Sequence, residues 1–349
     1  MKILNSKRLI LASFLITALL PGILHAQIDN IPNWKIDPDK ELNPNTEWLR
    51  EAKWGMFTHY TIHPPNDPIP GMNPEKWNEK VNSFQVEKFA DQLTELKVPY
   101  FFITIAHTGG YYCSPNSAYE KYFGEGEGKM SNRDLVEALG KELTSRGIKF
   151  GVYLPPSRKY ATDEDKMQMF REVLVEWSER WGDLVSAWWL DGAVYPQAED
   201  YKLVSEAIKS GNPRAIIAYN GGPVGMSRKQ LVPVTEYEDY LAGEADYILP
   251  TSANFPEGFA KRKIFNPFET TDYYRGPNIS GDQLHFLTFM GSWWGNGEPR
   301  FPDELVIGWT KHINNNSGAV TWDVPLSDDG IIQDSFYKQI KALSESINQ

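Results

Sequence analysis

The sequence predicts an α/β fold, a (β/α)8 TIM-like barrel, from three observations. Short apolar runs alternate with amphipathic stretches of helical period along most of the chain, and strand–helix alternation of this kind builds a parallel sheet. No Gly-rich phosphate-binding turn follows the first strand, which argues against an open doubly wound sheet. The 323 residues left after a leader of 26 suit one domain over 27–349, since single barrels commonly run past ~200 residues.

The elements follow in order. After a Pro- and Asn-rich lead from Gln27 to Asn45, Trp54–Tyr60 reads as strand one and Val86–Leu96 as its helix. Tyr100–His107 is strand two, Arg133–Arg146 the next helix, and Lys149–Pro155 strand three. A helix from Asp163 to Trp181 carries Met167, Phe170, Leu174 and Trp177 on one face, and the apolar run Leu184–Asp191 is strand four. Helix Tyr201–Lys209, strand Ala215–Asn220 and strand Val234–Tyr240 come next, followed by a less regular region to Asn278. Asp303–Asn314 is a helix, Ala319–Val324 a strand and Ser335–Ile347 a closing helix, with no C-terminal β-sandwich expected. The sequence carries no internal repeat and no low-complexity tract.

Residues 1–26 read as a signal peptide. Lys2, Lys7 and Arg8 are basic, Leu9–Leu20 is apolar, and Leu24-His25-Ala26 is a small-residue exit. Export to the periplasm or medium is the expectation. The apolar run falls short of the ~20 residues that span a bilayer, so no membrane anchor is expected in the mature form. Loss of those three basic residues takes the formal charge from −11 to −14, which disfavours nucleic acid or an anionic membrane as partner. Cys113 is the only cysteine, so the chain has no internal disulfide. Aromatic residues make up 13% of the chain, including 12 tryptophans, which suits stacking on sugar C–H faces and equally suits a large core.

In a barrel, chemistry gathers at the carboxyl ends of the strands, so polar residues that end apolar runs are the candidates. These are His59, His107, Tyr153, Asp191, Asn220 and the group Glu236, Glu238 and Asp239. Asp191 stands out, because a carboxylate closing Ala-Trp-Trp-Leu must leave a buried run and needs partners there. His59, His107 and Asp191 show no metal-ligand spacing, so neither a metal nor a cofactor is expected.

At these residues the sequence resembles family 29 of the glycoside hydrolases, the retaining α-L-fucosidases, from about Trp48 to Ile332. Lys53-Trp-Gly-Met-Phe-Thr-His59 resembles that family's K-F-G-I-F-I-H, and Ser131-Asn-Arg-Asp-Leu-Val136 its N-x-R-D-L-V. Lys149-Phe-Gly-Val-Tyr153 resembles F-G-x-Y, and Trp189-Leu-Asp-Gly192 resembles W-F-D-G. Residues 319–330 are a looser version of the N-L-L-L-N-I-G-P-x-x-D-G segment. The resemblance implies an exo-acting glycosidase on glycans bearing a terminal α-L-fucosyl or related L-sugar, with Asp191 as nucleophile. Asp239-Tyr-Leu-Ala-Gly-Glu244 best matches the acid/base frame, so it implies Glu244 in that role, ahead of Glu238 and Glu269. It also implies His59, His107 and Tyr153 on sugar hydroxyls, and Trp189 with Trp54 or Trp77 as apolar walls. Glu75 stands in a blurred version of the family's E-W-Y segment.

The family's H-H-D-G-F becomes His107-Thr-Gly-Gly-Tyr111 here, losing a histidine and an aspartate and leaving fucose, substituted fucose and L-galactose all open. Two further function classes stand beside the exo-glycosidase: a non-catalytic carbohydrate-binding barrel, and an endo-acting or inverting hydrolase. A retaining pair sits roughly 5–5.5 Å apart and an inverting pair roughly 6.5–9.5 Å apart, so geometry separates the last of these.

Overall fold

The computed structural model describes residues 41–60, 71–107, 109–124, 128–222, 233–245, 278–279 and 281–348. These lie in one compact unit, Ile36–Gln349. The leader, Thr108, Glu269 and the stretch 246–277 lie outside the described residues.

Seven parallel strands form a single sheet: β1 (Trp54–Thr58), β2 (Tyr100–Thr104), β3 (Lys149–Leu154), β4 (Ala187–Leu190), β5 (Ile216–Tyr219), β8 (His285–Phe289) and β9 (Ala319–Asp323). Their order is β5-β4-β3-β2-β1-β9-β8, so the strands run round in sequence and the last two return beside the first. A two-residue antiparallel pair, β6 (Asn278–Ile279) and β7 (Asp282–Gln283), precedes β8.

Helices cover the outside. They are α1 (Glu47–Ala52), α2 (Pro74–Ser83), α3 (Val86–Glu95), α4 (Ser117–Tyr122), α5 (Leu135–Ser145), α6 (Glu164–Trp181), α7 (Ala198–Lys209), α8 (Asp303–Asn315) and α9 (Asp334–Ile347). Their starts follow from capping chemistry. The side chains of Asn73, Asp134 and Asp163 accept the free N–H of Lys76, Glu137 and Lys166, which ends the preceding loop and begins α2, α5 and α6. The α6 face predicted from period is buried: Met167, Phe170, Leu174 and Trp177 are each 3% exposed or less. Among the described residues no helix is long and apolar enough to cross a membrane.

The expected sixth strand is displaced. Glu236 and Tyr237 form a turn, and the extended segment is 239–245, shifted several residues along the chain. It fills the gap between the sheet edges: the Asp239 N–H donates to Ile217 O on β5 (2.8 Å), and the Leu241 N–H donates to Gln283 O (3.0 Å). The Leu287 N–H donates to Gly243 O (3.0 Å) and the Ala245 N–H to Leu287 O (2.9 Å), so the segment also pairs along β8. Alternation of apolar residues misled the sequence expectation, because Val234 and Thr235 are buried by packing and not by pairing. Strand β8, helix α2 and the short α1 and α4 were not expected from the sequence at all.

The interior of the ring is a packed core built from Phe57, Tyr100, Phe102, Tyr153, Trp189 and Tyr240 among others. Large rings alternate with gaps: a Cβ on Gly151 would lie 2.3 Å from the Phe102 ring, so only glycine lets that ring lie flat against β3. This core forms a floor, and the carboxyl ends of the strands stand above it.

Candidate active site

Asp191 is the first residue past β4, and its own N–H still donates to Leu154 O (3.0 Å), so its backbone is held by the sheet. Its side chain leaves the buried run and is partly exposed. Three donors hold the carboxylate: the Tyr153 hydroxyl to Oδ2 (2.6 Å), the Gly192 N–H to Oδ1 (2.8 Å) and Asn220 Nδ2 to Oδ1 (2.9 Å). A carboxylate at the edge of an apolar core needs such partners, and their fixed geometry sets its direction. Tyr153 can serve because its ring is locked, stacked on Trp189 at 5.2 Å and 17°.

The same Asn220 nitrogen also donates to Glu244 Oε2, at 2.6 Å. One nitrogen therefore reaches both carboxylates, 2.9 Å to one oxygen and 2.6 Å to the other, which bounds those oxygens to no more than about 5.5 Å apart. The neighbouring acids have other work. Glu238 is buried and accepts the N–H groups of Val234 (2.6 Å) and Tyr219 (3.3 Å), tying the turn to β5. Asp239 accepts from Lys209 Nζ (2.9 Å), Asn43 Nδ2 (2.7 Å) and the Ile217 N–H (3.0 Å). Glu236 is exposed. Gly243 explains why Glu244 differs: at φ +61°, its missing Cβ would fall 1.9 Å from the His285 carbonyl oxygen. The chain presses onto β8 there and turns the next side chain to the mouth.

The histidines sit beside this pair. His59 follows β1 and is 8% exposed; its ring lies 5.5 Å from Tyr153, 5.9 Å from His107 and 5.2 Å from Trp294. The His107 ring also stacks on Tyr153, at 5.9 Å and 25°. Asp323, the last residue of β9 and fully buried, accepts the His59 N–H (3.0 Å) and the Gly295 N–H. Its Oδ2 lies 3.2 Å from His59 Nδ1, without the alignment of a hydrogen bond. Asp323 thus joins the His59 corner to the loop carrying Trp293 and Trp294. Among the described residues no three His, Cys, Asp or Glu side chains are grouped to hold a metal ion.

Asp191, Glu244, His59, His107 and Tyr153 are brought together. Trp189 lies beneath them as floor, 3% exposed, with its indole N–H donated to Ala242 O (2.9 Å). Trp54 and Trp77 are not part of the cluster. Trp54 begins β1, at the far end of the strand from His59, and is 1% exposed. Trp77 is equally buried, with its N–H on Tyr112 O (2.8 Å) and its ring against Tyr60 and Tyr111. Glu75 is exposed in the first turn of α2, where an acid favours the helix N-terminus. The aromatic and acidic signals at these three positions are those of core packing and a helix start. Asn220 was a strand-end candidate with no role assigned to it, and Asp323 was missed, although it too ends an apolar strand and the strand-end filter selects that feature.

Sequence comparison matches the chain to no protein-family model and no curated protein. Comparison of structures finds similar folds. An endo-fucoidan hydrolase of glycoside hydrolase family 107 aligns over 88% of this chain and 54% of its own, at 17% identity and a TM-score of 0.64. The chain thus spans about half the length of that protein. A second endo-fucoidan hydrolase of family 107 aligns over 88% of this chain and 94% of its own, at 15% identity and TM-score 0.65. A family 29 α-L-fucosidase from Bacteroides thetaiotaomicron, trapped as a covalent intermediate, aligns over 88% and 75%, at 15% identity and TM-score 0.59. At these identities the shared property is the barrel fold.

Proposed function

We propose that this chain is a retaining glycoside hydrolase acting on α-L-fucosyl residues or a closely related L-sugar, with Asp191 as nucleophile and Glu244 as acid/base. The single observation that carries the reading is the Asn220 bridge, which keeps the Asp191 and Glu244 oxygens within about 5.5 Å. An oxygen pair held that close supports the ~5–5.5 Å spacing of a retaining pair over the wider ~6.5–9.5 Å spacing of an inverting one. The structural neighbours named as fucosidases and fucoidan hydrolases support the choice of sugar.

In the first step Asp191 attacks the anomeric carbon as the glycosidic C–O bond breaks, and Glu244 gives its proton to the departing oxygen. In the second, Glu244 takes a proton from water as that water displaces Asp191, which leaves as a carboxylate. Tyr153 and Asn220 hold the nucleophile along this path. His59 and His107, ringing the Tyr153 side, are placed for the sugar hydroxyls.

Aryl α-L-fucoside and α-L-galactoside are the substrates to test. The Asp191→Asn variant is expected to lose activity about a thousandfold or more, and Glu244→Ala about 10²–10⁴-fold, with azide restoring the second through an α-glycosyl azide. Proton NMR of the wild-type reaction should show the α-anomer first. Near-normal turnover by Asp191→Asn, or a β-anomer formed first, contradicts the reading. Binding of fucosylated glycans with no release of sugar by the wild type indicates the non-catalytic alternative.

Endo-action is a second reading, favoured by the family 107 neighbours being endo-hydrolases. Product size separates it from release of single sugars. Export through cleavage after Ala26 belongs to the same proposal, and a secreted mature chain beginning at Gln27 is the expected N-terminal sequence.

A further inference from the structure

A cavity of about 750 Å³ opens beside His59, between α2, the loop carrying Gly295 and the segment after β9. His59 is the residue it shares with the cluster just described, and Asp191 and Glu244 are not among its lining residues. Its volume is that of sites for drug-sized ligands, which is the size of a short oligosaccharide. The walls mix the two kinds of surface a sugar chain uses. Met72, Pro325 and Leu326 offer apolar contact, and Lys76, Asn296 and Gln333 offer hydrogen-bonding groups.

The charges decide what kind of chain fits. Among the described residues the walls hold two ammonium groups, Lys76 and Lys80, against three carboxylates, Glu79, Glu298 and Asp328. Lys80 is already committed: its Nζ pairs with Asp328 Oδ1 and sits 5.2 Å over the Tyr60 ring, and its side chain is only 16% exposed. The Lys76 ammonium donates to the Gly71 carbonyl at 3.1 Å. Among the described residues a sulfate ester placed here meets a net negative wall with no guanidinium fork, and like charge beside it weakens its binding. A chain bearing only hydroxyls meets no such obstacle.

We propose that this groove binds the uncharged sugar units adjoining the cleaved linkage, and that the protein therefore selects neutral oligosaccharides over sulfated ones. The proposal rests on the glycosidase reading above, and the test separates the two. The wild-type chain is assayed on an aryl α-L-fucoside or L-galactoside, on the same linkage within neutral tetrasaccharides extended to either side, and on their sulfated counterparts. Extension is expected to raise kcat/KM about tenfold or more, because contacts remote from the bond are converted into rate, and sulfation is expected to remove that gain.

Two variants report on the groove itself. Leu326→Trp narrows it, and the ratio of kcat/KM for tetrasaccharide over aryl glycoside should fall about tenfold. Asp328→Lys releases Lys80 and turns the wall net positive, and the ratio of sulfated to neutral turnover should rise about tenfold. Thermal unfolding of both variants checks that the fold is kept, which the 95% exposure of the Asp328 side chain favours. No gain on extension in either direction, or equal use of sulfated and neutral chains by the wild type, overturns the proposal while leaving the glycosidase reading in place. Failure of every substrate, the aryl glycosides included, overturns the glycosidase reading.

Discussion

At the scale of single residues, the geometry makes Asn220 and Tyr153 the two side chains on which the acidic pair depends. Asn220→Ala removes a nitrogen that reaches both carboxylates. Both acids then lose a fixed bearing, and kcat/KM is expected to fall about 10²-fold with little change in unfolding temperature, as checked by steady-state kinetics beside calorimetry. Tyr153→Phe keeps the ring stacked on Trp189 and loses only the hydroxyl donated to Asp191, so its cost should appear mainly in kcat, by about tenfold or more. An unchanged kcat in that variant would show that Asp191 needs no donor from β3. The candidates Asp191, His59, His107 and Tyr153 were legible in the sequence because each ends an apolar run, which is a local signal. Asp323 carries the same signal, but its use lies in a contact with His59 across 264 positions of chain, and no local pattern encodes that. The resemblance already placed Glu244 ahead of Glu238, and the structure adds a physical reason: Glu238 is bound to two backbone amides.

At the scale of elements, the segment 239–245 decides both closure of the ring and placement of Glu244. Gly243 is its tightest point, with positive φ and backbone where a Cβ would be. Gly243→Ala is expected to destabilise the fold by about 2 kcal/mol or more, measured by denaturant unfolding, and to lower activity beyond that because the neighbouring carboxylate moves. Stability equal to wild type would mean that the segment can slide along β8. This element was misplaced in the sequence because its strand character comes from pairing with two distant edges, β5 and β8, and not from its own composition. Helix α2 was missed for a related reason: its polar sequence Pro-Glu-Lys-Trp-Asn-Glu-Lys shows little apolar face, and the Asn73 cap with Pro74 at the first position was its available signal. Strands β1 to β5 and helices α3, α5, α6 and α7 were legible within a few residues, since continuous apolar runs and a 3.6-residue period are both local.

At the scale of the whole molecule, His285 couples closure of the barrel to pH. It is fully buried where β8 meets the closing segment, with Nδ1 on the Leu241 carbonyl (2.9 Å) and Nε2 on the Thr321 hydroxyl of β9 (2.7 Å). The network assigns the proton to Nδ1, so the neutral ring satisfies both neighbours. Burial holds its pKa down to about 4, against an ordinary value of 6.5. The unfolded chain takes up a proton near pH 6.5 while the folded one does not until about 4, so stability falls as pH drops through that window and this group adds no further loss below it. The loss is on the order of 3 kcal/mol. Urea unfolding between pH 7.5 and 4 should show it, and His285→Gln should be less stable at neutral pH but lose less on acidification. Equal slopes in the two proteins would remove His285 as the cause.

Labelling with a slow substrate identifies the nucleophile itself. The wild-type chain is incubated with a 2-fluoro-L-fucosyl fluoride, digested and mapped by mass spectrometry. One adduct is expected, carried by Asp191, with inactivation in step with labelling. An adduct on Glu244, Glu238 or any other carboxylate, or full activity on aryl fucoside with no adduct formed, would contradict it.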